Sequence, residues 1–311
     1  MKTSFIVNPN SHGGRGLKLW NRVRARLARA GVEYEIYFTA STGDAALIAK
    51  RLTEEAGEGR PTLYVIGGDG TLNELLNGIK HPDKVNVGYI PTSPEAGCAR
   101  SLKLSCNPGR ILRSCRGEDG VSRLEAMDYG VLTCGNGELT RRFAGSMGIG
   151  LDAAVCRRVE ERLSIQHGLM GYFAPAQALR EKISEVVLSK PVSGYLILDG
   201  ERRVEFNHLM FVSVHIHPYE GKFKFGSYAD PKDGMLEICA VSCKNSMKLL
   251  PILLRSRFRG NGSSAKVRFF QCREAHIHFD RPAPVHTDGE CLPLQTDLDI
   301  RCVRQQFHIY R

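Results

Sequence analysis

A five-residue run, Gly67-Gly-Asp-Gly-Thr71, constrains this chain more than any other feature. The apolar residues 62–66 precede it, and Leu72, Leu75, Leu76 and Ile79 follow at helical spacing. Thr71 and Glu74 have the separation of a capping box. The run is therefore expected to join a buried strand to a helix. Glycines there let bare backbone approach a ligand without a Cβ clash, and amides at a helix start attract phosphate oxygens. Asp69 adds a carboxylate where a magnesium ion or its waters could sit. A plain tight turn is the alternative. Three glycines, an acid and a capping threonine in one turn favour the phosphate site.

The surrounding pattern sets the fold class. Strands are expected at 5–7, 34–38, 62–66 and 85–90. Helices lie between them: one carries Leu17, Trp20, Val23 and Leu27, and another runs from Asp44 to Leu52. Such alternation predicts an α/β region with a mostly parallel sheet covered on both faces. Asn107-Pro108 reads as a further helix start. Beyond about residue 125 the chain turns strand-rich, with strands expected at 126–133, 139–144, 192–198, 204–206, 209–214, 236–241, 267–270 and 275–279. Asp199-Gly200 is a hairpin signal. A helical stretch over 151–187 interrupts this run. The expected division is a nucleotide-binding α/β domain over 1–125 and a β-rich, two-sheet domain over 126–297. Strands near 298–303 and 307–310, within 298–311, are expected to return to the first.

Hydrophobic residues make up 42% of the chain and charged residues 24%, which suits a globular protein with a full core. No apolar run reaches bilayer-spanning length, and the N-terminal run is too short for a signal-peptide core. The ten cysteines then read as reduced thiols in a cytoplasmic protein. No Cys-x-x-Cys pair occurs, and Cys239 with Cys243 lacks a second half, which argues against a zinc site. The net charge of +10 favours polyanionic partners. Arg255, Arg257 and Arg259 adjoin the apolar residues 249–254, a candidate surface for an anionic membrane. Aromatics are not interleaved with basic residues as stacking platforms for nucleic acid would require, so nucleic acid is not an expected partner. His215-x-His217 and His276-x-His278 each put two imidazoles on one strand face, which is more often half-buried strand chemistry than a metal site.

A second polar loop, Asn8-Pro-Asn-Ser-His-Gly-Gly14, follows the first strand. Loops after parallel strands gather at the carboxyl edge of the sheet, where ligands bind. Together with Thr39-x-x-x-Gly43-Asp44-Ala45, Ile90-Pro91, Gly145-Ser-Met-Gly-Ile-Gly-Leu-Asp152, Asp230-Pro-Lys-Asp-Gly-Met-Leu236 and Asp288-Gly-Glu290, the two loops resemble the diacylglycerol kinase catalytic-domain family in order and spacing. That family includes bacterial lipid kinases and is related to sphingosine kinases. The resemblance covers nearly the whole chain. It implies an ATP-dependent lipid kinase that needs Mg2+, with ATP, a lipid and an anionic membrane surface as partners; a homodimer is compatible with it. It implies an ATP site at Asn8, Ser11, Thr39, Gly67, Gly68, Asp69, Gly70, Thr71, Leu72 and Asn73. Asp69 would join the magnesium–water network, Asp230, Asp233 and the Met235 carbonyl would form a structural magnesium site, and Glu290 would be the general base. The helical stretch 151–187, with Leu169, Met170, Tyr172 and Phe173, would line the lipid path or simply pack in the core.

One segment departs from the family pattern. Where the family has Gly-Thr-x-Asn-Asp-Phe after its Ile-Pro-x, this chain has Ser93-Pro-Glu-Ala-Gly-Cys98. Pro94 has no amide hydrogen for a phosphate, and Gly97 has no carboxylate. Glu95 is the expected substitute carboxylate at the ATP site. The alternatives are a catalytically impaired nucleotide- or lipid-binding relative, or a kinase of a soluble substrate such as NAD.

Overall fold

The structure is a computed structural model that describes residues 3–104, 123–135, 137–157 and 190–310. The expected helix start at Asn107-Pro108, most of the expected 151–187 helix and the lipid-path residues 169–173 lie outside the described residues; residues 151–157 are helical.

The first third alternates as its sequence requires. It runs β1 (Thr3–Val7), α1 (Ser11–Arg29), β2 (Tyr34–Phe38), α2 (Asp44–Glu55), β3 (Thr62–Gly67), α3 (Asp69–Gly78), β4 (Asn86–Pro91) and a short α4 (Gly97–Ser101). All five residues of β1 are buried because both faces are covered. Phe5 and Val7 pack with Trp20, Val23 and Leu27 of α1. Ile6 packs on the opposite side with Ala45, Ala49, Leu72 and Leu75 of α2 and α3. An aromatic group anchors the first side, with the Phe5 ring centroid 5.3 Å from that of Trp20 and 5.0 Å from that of Tyr64.

The remaining strands are β5 (Leu124–Cys134), β6 (Leu139–Phe143), β7 (Ser146–Gly150), β8 (Val192–Leu198), β9 (Arg202–His215), β10 (Leu236–Ser242), β11 (Val267–Cys272), β12 (Glu274–Thr287) and β13 (Glu290–Tyr310). A helix, α5 (Leu250–Phe258), precedes β11. The hairpin expected at Asp199-Gly200 joins β8 to β9, with both residues at positive φ.

Two expectations need correction. Parallel pairing holds for β1, β2, β3 and β4 and for the end of β13 beside β4. The pairs from β5 onward are otherwise antiparallel, so the sheet as a whole is not mostly parallel. Nor do the later strands form a separate sandwich. They continue one hydrogen-bonded network of 13 strands, in which β7 and β8 each pair with both β9 and β12 and give it a barrel-like closure. The cause is strand length. β12 and β13 are 14 and 21 residues long and irregular in register, so each has room for several partners. The two strands expected at 298–303 and 307–310 are both parts of β13, separated by an irregularity between Val303 and Phe307 where Gln305 has φ 50°. Through its last residues β13 pairs with β4, and the second half is thereby sewn to the first.

Candidate active site

The glycine turn lies where sequence placed it, between β3 and α3. Gly67 has no room for a side chain: a Cβ there would stand 2.5 Å from the Thr71 side chain. Asn8 Nδ2 donates to Thr71 Oγ1 at 3.3 Å, so the loop after β1 touches the turn after β3. Ser11 Oγ shares a 2.8 Å hydrogen bond with Thr92 Oγ1, and the Thr92 amide donates to the Gly67 carbonyl. Just beyond Ser11, His12, Gly13 and Gly14 take left-handed backbone conformations. Thr39 is buried after β2, and its amide donates to the Val7 carbonyl. Asn8, Ser11, Thr39 and the glycine turn thus share the carboxyl edge of the parallel strands, the place where such sheets bind ligands.

Two residues of the expected ATP site do other work. The Leu72 side chain is buried in the core beside Val65 and Leu75, and its amide already donates to the Gly68 carbonyl. Asn73 is fully buried and donates through Nδ2 to Arg142 O and to Asp288 Oδ2, the latter at 2.8 Å. It positions a carboxylate and is not placed to bind a nucleotide.

Asp288 is the residue the sequence reading passed over. It opens the two-residue turn between β12 and β13, with Asp288 at φ 48° and Gly289 at φ 89°. Besides Asn73, the amides of Ala144, Gly145 and Ser146 donate to its carboxylate at 2.7–2.8 Å. Burial nevertheless pushes its pKa up, against the pull of those donors. Two residues on, Glu290 Oε1 lies 3.9 Å from where a Cβ at Gly70 would sit, so a carboxylate overhangs the glycine turn. Asp69 accepts hydrogen bonds from Tyr89 Oη at 3.2 Å and from the Gly97 amide at 2.5 Å. Burial, and then the neighbouring Asp288, raise Asp69 to about 6.

Gly68, Asp69, Ser146, Asp288 and Gly289 line a cavity of about 510 Å³. Its far wall is apolar, formed by Leu151, Val155, Phe211, Phe223, Phe225 and Leu253. The shape joins a phosphate-scale polar floor to a hydrocarbon-compatible wall.

The departing segment 93–97 has a packing cause. A Cβ on Gly97 would lie 2.4 Å from the Tyr219 carbonyl, so an aspartate does not fit where the chain presses on that loop. Glycine brings its amide to Asp69 instead. Glu95 does not join Asp69. It sits on the cavity rim and pairs with Lys222 Nζ at 2.7 Å, which lowers its pKa. Arg100 lies 4.1 Å over the Tyr219 ring and reinforces the same contact.

The expected magnesium turn is apart from this cavity. Asp230 Oδ1 accepts from the Lys232 amide and Asp233 Oδ1 from the Met235 amide. Asp128, 1% exposed, lies beneath the turn and accepts from the Gly234 and Gln305 amides. Hard oxygen donors of this kind fit magnesium, with one oxygen of each turn aspartate not engaged by these amide bonds. The paired histidines are structural. His276 and His278 contact Asp299 and Asp297 at 2.8 and 2.7 Å on the sheet surface, while His215 and His217 are buried.

The model of the diacylglycerol kinase catalytic domain matches residues 2–128, and that of the YegS C-terminal NAD kinase beta sandwich-like domain matches residues 145–309. A diacylglycerol kinase of Staphylococcus carnosus is 36% identical over 93% of this chain and 88% of its own length. The chain belongs to the diacylglycerol kinase catalytic-domain family. A diacylglycerol kinase of Mycobacterium tuberculosis is 25% identical over 97% of this chain and 89% of its own. The fold is also that of a diacylglycerol kinase crystal structure from Bacillus anthracis, with TM-score 0.68 over 99% of this chain and 96% of that one, at 17% identity. As a member of this kinase family the chain is a lipid kinase at family level, with ATP and a lipid as the family's reactants.

Proposed function

We propose that the chain transfers the γ-phosphoryl group of ATP to a hydroxyl of diacylglycerol or a similar lipid. The observation that supports this reading is Glu290 Oε1 standing over Gly70, in the glycine turn whose Gly68 and Asp69 line an apolar-walled cavity. Residues 1–125 with 298–311 would form the nucleotide side, and 126–297 the lipid side. Asn8, Ser11, Thr39 and the amides of 67–71 would hold and orient the triphosphate. Glu290 would accept the proton of the lipid hydroxyl, and Asp288, held by four donors, would fix the hairpin that carries it. Transfer of this type depends on alignment and charge neutralisation more than on covalent chemistry. Magnesium, when bound, would neutralise phosphate charge. Asp69 suits a cation or its waters nearby, because burial and the neighbouring Asp288 carboxylate raise its proton affinity. Asp230, Asp233 and the Met235 carbonyl suit a second, structural ion.

The lipid would enter from an anionic bilayer on the α5 side. Leu250, Leu254 and Phe258 lie four residues apart along α5 and are 46%, 52% and 77% exposed. Arg255, Arg257 and Arg259 flank them, and Leu253 of the same helix lines the cavity. No described helix is long and apolar enough to cross a membrane.

Transfer of label from γ-labelled ATP to diacylglycerol, monoacylglycerol, a sphingoid base or phosphatidylglycerol tests the reading, with Asp69→Ala as control. A labelled lipid that disappears with Asp69→Ala is expected. ATP binding without turnover on any of the four would favour the impaired-kinase reading, whose support is the capture of Asp69 by the Gly97 amide.

A further inference from the structure

Asp152, Cys156 and Glu220 also line the cavity, and with the buried His286 they form a group that the proposed transfer does not use. His286, near the end of β12, is fully buried. Asp152 and Cys156 stand four residues apart on the helical segment 151–157, and Glu220 comes from the loop after β9. His286 Nε2 is 3.6 Å from Asp152 Oδ2 and 3.5 Å from Glu220 Oε1. Cys156 Sγ, a Glu220 oxygen and His286 Nε2 all lie within 4.8 Å of one another.

The separations are too long for hydrogen bonds. Asp152 Oδ2, Glu220 Oε2 and His286 Nε2 are each buried with no hydrogen-bond partner. Such orphaned groups are costly, so something is expected to answer them. Size discriminates between candidates. A water bonded tetrahedrally to these atoms would hold them about 4.5 Å apart. A tetrahedral ion with bonds of about 2.0–2.2 Å would hold its nitrogen and oxygen ligands about 3.4 Å apart. The observed 3.5 and 3.6 Å match the ion. Imidazole, thiol and carboxylate together suit a zinc-class ion, whereas magnesium takes oxygen alone. Gly148 makes the approach feasible: a Cβ there would lie 2.1 Å from Asp152 Oδ2 and 2.7 Å from His286 Nε2.

We propose that Cys156, Glu220 and His286, with Asp152 beside His286, bind a zinc-class divalent ion that pins the 151–157 helix and the 219–221 loop to β12. The three grouped ligands come from three separate elements, so the ion would act as a cross-link. Binding releases the thiol and imidazolium protons and leaves the remaining ring proton on Nδ1. The long 3.3 Å contact from the Gly289 amide to Nδ1 is then given up.

The test is made on the intact chain and reads no catalysis. After chelation, zinc is titrated with metal analysis and thermal melting, and cobalt is used as the spectroscopic probe. One equivalent of zinc and a raised Tm are expected. Cobalt should give tetrahedral visible bands and a near-ultraviolet thiolate charge-transfer band. Cys156→Ser should remove that band, and His286→Asn should weaken binding by a hundredfold or more. If His286→Asn does not fold, Cys156→Ser on its partly exposed helix carries the test. No zinc above the chelated control, a cobalt spectrum without the thiolate band, or unchanged zinc binding in Cys156→Ser would each overturn the proposal. A chain that binds zinc but phosphorylates no lipid would leave this site standing and remove the kinase reading.

Discussion

Two acidic groups share one cavity and differ in what answers them. Asp288 is met by three backbone amides and the Asn73 amide, all supplied by protein. Asp152 and Glu220 meet a histidine at 3.6 and 3.5 Å, and one oxygen of each has no hydrogen-bond partner, while Asp152 Oδ1 accepts from the Ala153 amide. Both groups are buried, and burial pushes the pKa of Asp288 and of Glu220 up, the latter to about 7. Burial therefore does not separate them; donor supply does. A carboxylate saturated by backbone is a fixed part, whereas one left short of donors leaves room for something the chain does not supply.

The largest effect that would break this contrast lies one turn from Asp288. Glu290→Gln removes a proton acceptor and is expected to lower kcat by about 10²–10⁴-fold with ATP binding retained, measured by transfer assay and nucleotide titration. If kcat holds, the saturated side of the cavity is not the reacting side. Next, Asp288→Ala strands three buried amides and is expected to cost about 3–5 kcal/mol in denaturant unfolding.

Histidines sharpen the comparison through pH. His217 is as buried as His286, but burial acts on it alone and lowers its pKa to about 4. The unfolded chain binds that proton near pH 6.5, so its stabilising contribution is complete above about 6.5 and is lost as pH falls toward 4. The loss from this group should approach about 3 kcal/mol in unfolding measured across that window, and His217→Gln should remove that share while leaving the part due to His215, whose pKa burial lowers to about 3. A smaller effect tests the cause assigned to the departing segment. Gly97→Asp restores the family residue but drives a Cβ against the Tyr219 carbonyl, and should cost about 2 kcal/mol without raising activity. Smallest of all, Glu95→Ala breaks only an exposed pair with Lys222 and should change transfer by about fivefold or less.

Local features were legible in the sequence; long-range ones were not. The glycine turn and the Asp199-Gly200 hairpin declare themselves because strand, turn and helix chemistry sit within a few residues of each other. β8 was read to its exact ends for the same reason. The role of Asp288 escaped because its partners lie between 142 and 215 positions away. Glu95 was misplaced because nothing near it announces Lys222 across the cavity mouth. The sequence argued against zinc from the spacing of cysteines, a rule for sites built on short loops. The proposed ligands come from positions 152, 156, 220 and 286, where only the sheet closure brings them together. The pairing error has a similar origin: strand length was visible only piecewise, and β13 was read as two fragments.

That undivided β13 has a mechanical consequence. A single 21-residue strand runs from Glu290, the proposed general base, to the parallel strands that carry the glycine turn. The two sides of the molecule therefore cannot swing like doors on a slack linker. They share a beam, and any tightening around a bound pair of substrates has to be absorbed as torsion along it, most cheaply at the kink near Gln305.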